Sequence, residues 1–432
     1  MHRYVARRTT GSRPADVKID NKRSVLQHVY LQGTSSKPEA CQAAGLSRPT
    51  ASHLIDELID SGILRKTTLG APSDTGGKRP QLFEFDDDAG WAIGIDADGQ
   101  AVRGAAANLR LAGQAVHVQP VDARPDGTSR PERVGEAVAD TARALIDAAR
   151  SAGRPVIGIG VSLPGEGNAA PAGRGAAGRG TDAAGRLAEA TSEALGSLGL
   201  PVLMAPRIHN AAVAETWFGC GITSQRTSFM VVDTHDGLST GLVNANGETP
   251  VNAAYSMAAL GHTTVNLDGP RCRCGNRGCW ELYASERAFL QAVKRGAALW
   301  HLPSALASDL RAGSPPVVSE VAAHLRKGDE FARTQAETYA DRLAIGLVNV
   351  VNAFGLGVVV LHGGLRPLGQ SFLDLVARHV REVALPPAAA EFGVMFSPLP
   401  DNAPLMAAAA VIRDALEGTT LISALAAIQD AR

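Results

Sequence analysis

The sequence has few cysteines, few aromatic residues and no long apolar runs. Five cysteines in 432 residues are too few for a disulfide framework, and three of them cluster within residues 272–279. We therefore expect a reducing, cytoplasmic compartment. No apolar run reaches the roughly 18 residues that a membrane helix needs, so no membrane partner is expected. The basic N-terminus lacks the apolar core of a secretory signal.

Charge is distributed unevenly along the chain, although the formal net charge is only −1. Residues 1–82 contain 13 lysines and arginines against 7 aspartates and glutamates, whereas the remainder contains 29 against 36. The length predicts about two to four domains, and the 45% hydrophobic content is that of an ordinary globular protein. A basic head on an acidic body is typical of a nucleic-acid-binding module, with a merely basic tail as the alternative.

Three helical segments follow the N-terminal tail. In the first, residues 21–32, apolar side chains recur close to helical spacing at Val25, Leu26, Val29 and Leu31. A short second helix is predicted after Ser36, which can cap it together with Glu39. The third helix is predicted to begin at Ser47, with Pro49 in its first turn. It would bury an apolar stripe formed by Leu54, Ile55, Leu58 and Ile59.

This order of helices, with a glycine in the second turn, predicts a helix-turn-helix. The segment after it predicts two short strands around a Gly/Ser/Asp-rich tip, which would form a wing carrying Lys78 and Arg79. Cations at a wing reach phosphates or the minor groove. The third helix would present a mostly polar face to the major groove, formed by Ser47, Arg48, Pro49, Thr50, Ser52 and His53. The alternative is a small helical domain that docks another protein.

The remainder of the chain alternates strands and helices in a pattern that occurs twice. A three-strand meander in residues 91–121 precedes a helix at about 132–152 and a buried strand. A second meander is predicted to begin near residue 227, and helices follow it. Between the two, the Gly/Ala-rich residues 166–185 predict a flexible loop. The pattern indicates an α/β architecture of two similar halves around a cleft.

The cysteine cluster predicts a structural zinc site, one per chain. Thiols crowded together in a reducing compartment favour metal binding, and tetrahedral zinc requires four ligands. The turn residues Gly275 and Gly278 would let the backbone fold back on itself. Four protein ligands leave no open position for catalysis, and the alternative is a chance cluster of free thiols. The predicted ligands are His262, Cys272, Cys274 and Cys279.

The segment "LGHTTVNLDGPRCRCGNRGCWELYAS", residues 260–285, resembles the signature of the ROK family. The family name joins repressors, open reading frames and kinases. The signature is Gly-His followed, after a spacer, by Cys-x-Cys-Gly-x2-Gly-Cys-x-Glu. It matches at Gly261, His262, Cys272, Cys274, Gly275, Gly278, Cys279 and Glu281. The resemblance extends over nearly the whole chain, including the helix-turn-helix of the family's repressors.

The resemblance implies an α/β fold with a DNA-binding head. A winged helix-turn-helix, residues 15–86, would precede a two-lobed body that is actin-like, hexokinase-like and ribonuclease H-like. The lobes are expected at residues 88–205 and 206–420, and the second would carry the zinc motif and the dimerisation surface. The last helix, at about residues 404–416, is expected to pack back on the first lobe.

The sequence departs from the family's sugar kinases at the positions that carry catalysis. A kinase needs glycine-rich phosphate loops and a carboxylate that takes the sugar hydroxyl proton. Here the loops are "DADGQ" (96–100) and "THDGLSTG" (234–241), and both have lost glycines. Ile208 stands where the catalytic Asp is expected and Arg207 replaces a nearby Asn, so only a shifted register would offer His209 as the base. ATP is therefore not expected as a cofactor.

The family's sugar-binding residues are only partly present. Asn210, His262 and Glu281 match usual sugar contacts, whereas Ala259 stands where another glutamate is usual. A pocket without its carboxylates would bind a polyol poorly, because each sugar hydroxyl needs a hydrogen-bond partner. The resemblance thus leaves three possibilities for the effector, namely a modified sugar, an unrelated metabolite or none.

Together these features predict a ROK-family transcriptional regulator of the repressor type, connected with carbohydrate metabolism. Its expected partners are a pseudo-palindromic double-stranded DNA operator and a second copy of itself, with a tetramer as the alternative assembly. The alternative function is an ATP-dependent sugar kinase, similar to glucokinase or N-acetylglucosamine kinase, that carries an accessory head.

Overall fold

In a computed structural model, the described residues form three β-sheets with surrounding helices. The tip of the predicted wing with Lys78, most of the first phosphate loop and most of the predicted Gly/Ala-rich loop lie outside the described residues. No helix in the described part is long and apolar enough to cross a membrane. The structure describes residues 14–70, 79–97, 101–121, 130–164, 179–222, 228–235, 237–244, 259–386, 389–390, 392–400 and 402–417.

The head is a winged helix-turn-helix, as predicted. Its sheet has the order β1-β3-β2, and β1 and β2 both run antiparallel to β3. Ser36 and Glu39 form the predicted capping box, and the Ser47 hydroxyl accepts from the backbone N–H of Thr50. The elements are α1 (Pro14–Gln32), β1 (Thr34–Ser36), α2 (Lys37–Ala44), α3 (Arg48–Asp60), β2 (Leu64–Leu69) and β3 (Gln81–Phe85).

Helix α1 is longer than predicted, and the last buried side chain along it is a different one. It begins at Pro14 rather than near residue 21. Val25, Leu26 and Val29 are buried as predicted, but Leu31 is exposed and Tyr30 is buried in its place. The reason is periodicity, because positions i, i+1, i+4 and i+5 share one helical face and Tyr30 completes that set.

The first lobe contains a five-stranded sheet of order β6-β5-β4-β7-β8. The β4, β5 and β6 strands form the predicted antiparallel meander, and β7 and β8 add to it in parallel. Helix α5 begins inside the segment that was predicted as a loop, because alanine-rich sequence favours helix. The elements are β4 (Trp91–Ala97), β5 (Ala101–Asn108), β6 (Gly113–Pro120), α4 (Pro131–Ser151), β7 (Val156–Leu163), α5 (Arg179–Leu195) and β8 (Val202–Pro206).

The second lobe contains a sheet of order β10-β9-β11-β12, in which β10 is antiparallel to β9 and the others are parallel. A third strand of the second predicted meander would fall in residues 245–258, outside the described residues. The elements are α6 (Arg207–Phe218), β9 (Phe229–Asp233), β10 (Ser239–Val243), α7 (Glu281–Ala284), α8 (Glu286–Leu299), α9 (Ala305–Arg311), α10 (Val318–Arg326), α11 (Glu330–Phe354), β11 (Val358–His362), α12 (Gly369–Val383) and β12 (Gly393–Phe396).

The last helix, α13 (Ala403–Glu417), returns to the first sheet. It packs so closely that a Cβ on Gly94 would overlap the carbonyl oxygen of Pro404, and one on Gly160 would overlap that of Ala407. Helix α6 contacts α13 and the β9–β10 hairpin. The two helices therefore share a hydrophobic core with residues of the head and of both sheets.

Candidate functional site

The N-terminal part of α3 forms the outer face of the head. Arg48, Pro49 and Thr50 are exposed, and the side chain of His53 is 70% exposed. The opposite face of α3 is buried, because Leu54, Ile55 and Leu58 pack into the core of the head. The helix thus presents to solvent the polar side that was predicted to face DNA.

The polar side chains of this face are ordered by their neighbours. Ser47 Oγ and Thr50 Oγ1 lie 2.8 Å apart, and Ser52 Oγ accepts a hydrogen bond of 2.9 Å from Lys37 Nζ. His53 Nε2 lies 3.0 Å from a carboxylate oxygen of Glu57, one turn further along the helix. Fixed side chains lose little rotamer freedom on binding, which favours recognition of a rigid partner.

Sequence reasoning missed Lys37, the first residue of α2. Its ammonium group lies 2.7 Å from the carboxylate of Asp56 and beside Ser52, so it contacts the outer face of α3. The residues are too far apart in the sequence for periodicity to connect them. In the wing, the described Arg79 is exposed, and Lys66 of β2 adds a second exposed cation.

The predicted metal ligands lie together in the structure. The ligand atoms of all four residues lie within 4.8 Å of one another. Cys272 Sγ lies 3.5 Å from His262 Nδ1, and Cys274 Sγ lies 3.6 Å from Cys279 Sγ. Four nitrogen and sulfur donors placed tetrahedrally around zinc are roughly 3.3–3.8 Å apart, so this donor set fits a metal ion of that kind.

The backbone around the cluster folds back as its glycines predicted. Gly275 and Gly278 adopt positive φ angles of 91° and 61°, where a residue with a Cβ would be strained. Gly278 also lies against the backbone of Asn266, so a Cβ there would overlap it. The loop is anchored by the buried Trp280, whose indole N–H donates to the carbonyl oxygen of Arg342 on α11.

Glu281 adds a carboxylate beside the metal-ligand set. It is buried, and its Oε1 lies 3.0 Å from Cys272 Sγ and 3.5 Å from His262 Nδ1. Burial and the hydrogen bond to Glu281 raise the pKa of the Cys272 thiol, and burial also raises the pKa of Cys279. A bound cation would offset this effect, because metal ligation stabilises the thiolate.

An ion pair with a buried carboxylate lies where β4 of the first sheet ends. Arg207, at the start of α6, donates from Nε and Nη2 to both carboxylate oxygens of Asp96 at 2.8 and 2.9 Å. Asp96 is buried near the end of β4, and Arg103 Nη1 approaches it to 3.7 Å. This bidentate pairing occupies the carboxylate at the start of the predicted first phosphate loop.

Asn210 faces the neighbouring strand, one turn further along α6. It is 1% exposed, and its Nδ2 donates to Ser162 Oγ at the end of β7 at 2.9 Å. Its Oδ1 has no hydrogen-bond partner among the described residues. Of the three predicted ligand contacts, the structure brings His262 and Glu281 together, and Asn210 belongs to a different contact set.

A second buried carboxylate, which sequence reasoning did not identify, links α6 to the second sheet. Glu215 accepts from His362 Nε2 at 2.7 Å, from Ser397 Oγ, and from the backbone N–H of Cys220 at 2.9 Å. Burial alone would raise the pKa of Glu215, but the hydrogen bonds outweigh it and lower the pKa. A glutamate within the apolar pattern of α6 was the one sequence signal of this network.

The ROK family model matches residues 92–415. The xylose repressor of Bacillus spizizenii is 23% identical over 399 residues, which cover 92% of this chain and 95% of the repressor.

Two solved structures have the same fold. A ROK family transcriptional regulator, described as a homologue of the Escherichia coli Mlc protein, matches with a TM-score of 0.74 and 19% identity, over 95% of this chain and 99% of its own. A ROK family glucokinase from Streptomyces griseus, solved with glucose and AMPPNP, matches with a TM-score of 0.57 and 22% identity. It covers 75% of this chain and 99% of its own. These likenesses confirm the predicted fold class.

Proposed function

We propose that this chain, which belongs to the ROK family as its cysteine motif predicted, is a transcriptional regulator that binds double-stranded DNA through its head. The observation that carries the proposal is a winged helix-turn-helix with an exposed polar recognition face, joined to a ROK body. The xylose repressor of Bacillus spizizenii also matches over nearly the full length of both chains. We further propose that the chain acts as a homodimer on a pseudo-palindromic operator.

The DNA contacts are proposed for the outer face of α3 and for the wing. Arg48 would reach base edges, because it extends from the exposed first turn of the helix. Lys37, Ser52 and Thr50 would hold the helix against phosphates. The wing cations Lys78 and Arg79 would reach the adjacent phosphates of the DNA; Arg79 is exposed, and Lys78 lies outside the described residues.

Arg48→Ala is the variant that tests this proposal. Duplexes are selected from random DNA with the full-length wild-type chain, and affinities are measured by fluorescence anisotropy over a range of salt concentrations. Loss of one base contact should weaken specific binding by about 1–3 kcal/mol and relax selectivity at one base pair. Binding should also weaken steeply with salt.

The matched control is Arg143→Ala, which removes an exposed arginine that pairs with Asp140 on α4. This control should bind like the wild type. If the wild-type chain selects no sequence and shows no salt-sensitive binding, the proposed function is wrong.

We propose that the His262 and cysteine cluster holds one structural zinc ion. The four donors would complete the coordination shell, so the zinc would cross-link the loop and supply no catalytic water. The remaining ring nitrogen of His262, Nε2, stays available for a contact outside the metal. An effector, if one binds, would use Asn210, His262 and Glu281.

We propose that the body is not a kinase. Ile208 is buried in the core and cannot accept a proton, and Arg207 is bound to Asp96. His209 is the alternative base, and burial, with a contribution from Arg413, lowers its pKa below the ordinary value. A coupled assay with ATP and glucose, N-acetylglucosamine or mannose should detect no turnover. Turnover that disappears in a His209→Ala variant would support the sugar kinase instead.

A further inference from the structure

The head and the first sheet meet at a small polar joint, formed by Tyr30, Asp87 and Arg110. Tyr30 lies near the end of α1 and is 3% exposed. Arg110 lies in the turn between β5 and β6, and Asp87 lies in the segment between the wing and β4. The joint therefore connects the head, the linker and the body through one cluster of side chains.

Tyr30 is held at three points. Its hydroxyl donates to the carbonyl oxygen of Leu109 at 2.6 Å, and its own carbonyl oxygen accepts from Arg110 Nη1 at 2.8 Å. The guanidinium of Arg110 also lies 4.0 Å from the centre of the Tyr30 ring, within the range of a cation–π contact. Burial raises the pKa of Tyr30 well above its ordinary value, so the hydroxyl keeps the proton that it donates.

Arg110 is held from the opposite side by the linker. Its Nε donates to Asp87 Oδ1 at 2.9 Å, and the backbone N–H of Leu109 donates to the Asp87 carbonyl oxygen at 2.9 Å. Arg110 thus bridges the ring and the carbonyl oxygen of Tyr30 to the carboxylate of Asp87 in the linker. Three separate parts of the chain are fixed relative to one another.

The β5–β6 turn has an unusual shape that presents Arg110 to the head. Leu111 adopts a φ of 62°, a left-handed conformation that residues with a Cβ rarely adopt. Asn108 Oδ1 holds the turn by accepting from the backbone N–H groups of Arg110 and Ala112, both at 3.0 Å. Leu109 and Leu111 are buried in the core that the head shares with the body. Such a conformation persists where the surrounding structure over-determines it.

One further contact crosses the same boundary. Arg23 of α1 donates from Nη1 to the carbonyl oxygen of Glu417 at the end of α13, at 2.9 Å. The backbone N–H of Asp86 donates to the carbonyl oxygen of Ile63 at 2.9 Å, which continues the β2–β3 pairing of the wing up to the start of the linker. The head is thus docked on the body at several points around the joint, which sets its orientation.

We propose that Tyr30 and Arg110 are positioning residues for operator recognition, because they hold each head at a fixed angle to its body. This inference rests on the proposed function, DNA binding by a dimer. A head of fixed orientation lets the dimeric body set the distance and rotation between the two recognition helices. The protein would then accept one half-site spacing and reject others. A head on a loose tether would tolerate several spacings.

The experiment measures spacing selectivity with the full-length chain. The probe is the palindromic duplex that the wild-type chain selects from random DNA, with zero to four base pairs inserted between the half-sites. Wild-type affinity should fall by about tenfold or more for a two-base-pair insertion, because it rotates one half-site by roughly 70° around the duplex. Arg110→Ala should bind the whole series within about threefold and should keep wild-type affinity for a single half-site.

A milder variant and a matched control keep the test decisive. Tyr30→Phe retains the ring and loses the hydrogen bond to Leu109, so its spacing selectivity should be intermediate. Arg143→Ala, on the exposed surface of α4, should retain the wild-type spacing profile. Hydrogen exchange of the DNA-free chains supplies a second measurement. The C-terminal half of α1 should exchange faster in Arg110→Ala than in the wild type.

The outcomes separate this inference from the proposed function. If the wild type selects a palindrome but both joint variants keep its spacing preference, the positioning role is wrong and DNA binding stands. If Arg110→Ala loses half-site binding as well, Tyr30→Phe decides, and an unchanged spacing profile in that variant overturns the inference. If the wild type selects no DNA, the proposed function fails and the inference fails with it.

Discussion

Single side chains determine the chemistry that is available at each site. Arg207 gives Asp96 a bidentate partner, and in the interior such a pair is tolerated because each charge compensates the other. The carboxylate at the end of β4 is therefore engaged in an ion pair within the body. In the same way, the capacity to hold a metal ion depends on whether three thiols and one imidazole converge on one point, as they do here.

The zinc proposal predicts a residue-specific loss of metal. Cys279→Ala should reduce bound zinc from about one ion per chain to well below one and should lower the melting temperature, because a structural metal contributes its binding free energy to folding. Inductively coupled plasma mass spectrometry of the purified chain measures the metal. Cys41→Ala, which changes a cysteine of the head outside the cluster, should keep its zinc. A wild-type chain that folds unchanged without metal would contradict the proposal.

At the scale of elements, the head is held together by charge as well as by its core. Glu57 of α3 accepts from Lys18 of α1 at 2.6 Å and forms an ion pair with Lys22 of the same helix at 2.7 Å. Lys37 of α2 makes a similar bridge to Asp56. These bridges join α1 and α2 to the recognition helix α3. They therefore both stabilise the head and hold its recognition face in position.

The Glu57 bridge predicts a pH-dependent effect on stability. Burial alone would raise the pKa of Glu57, but hydrogen bonds from Lys18 and Lys22 outweigh it and bring the pKa to about 2. A carboxylate whose pKa is depressed in the folded state stabilises the fold when the pH is above its pKa in the unfolded state. This contribution is lost as the pH falls toward the pKa in the folded state. Glu57→Gln should therefore lower the free energy of unfolding by about 1 kcal/mol at pH 7, as expected of a partly exposed pair.

The difference between Glu57→Gln and the wild type should shrink as the pH falls from about 4.5 toward 2, as measured by urea unfolding. Glu136→Gln is the matched control, because Glu136 is an exposed partner of Arg133 on α4. This control should remain within about 0.5 kcal/mol of the wild type. A Glu57→Gln deficit that stays constant down to pH 3 would contradict the assignment.

At the scale of the whole molecule, the first and the last described helices meet. Helix α13 packs with its backbone directly against Gly94 of β4 and Gly160 of β7, and its end contacts α1 of the head. The first lobe is therefore completed only when the last helix of the body is in place. This arrangement places the head, the first sheet and the chain's last described helix in one hydrophobic core.

The close approach of α13 predicts an unusually sensitive glycine. Gly160→Ala should destabilise the protein by about 3 kcal/mol or more, since its methyl group would overlap the backbone of Ala407 and α13 would have to move. Gly185→Ala on α5 is the matched control, because nothing lies near its Cβ position. It should be neutral or stabilising by up to about 1 kcal/mol. Equal stability of the two variants, measured by thermal unfolding, would show that α13 is not packed this way.

The sequence by itself determined the features that depend on near neighbours in the chain. The caps at Ser36 and Ser47 are local hydrogen bonds, so their residue types predicted them. The convergence of the cysteine side chains was predictable because three thiols occur in one short loop whose glycines permit its turns. Periodicity identified most strands and helices but chose Leu31 over Tyr30, because adjacent residues at the edge of a helical face differ little in that pattern.

Only the tertiary structure decided the contacts between distant residues. Arg207 and Asp96 are 111 positions apart, and Glu215 and His362 are 147 apart. Arg110 and Tyr30 are 80 apart, yet they define how the head sits on the body. Sequence periodicity reports which face of an element is buried, not which element covers it. Those pairings depend on the order of strands in the two sheets and on the return of α13, which exist only in the folded chain.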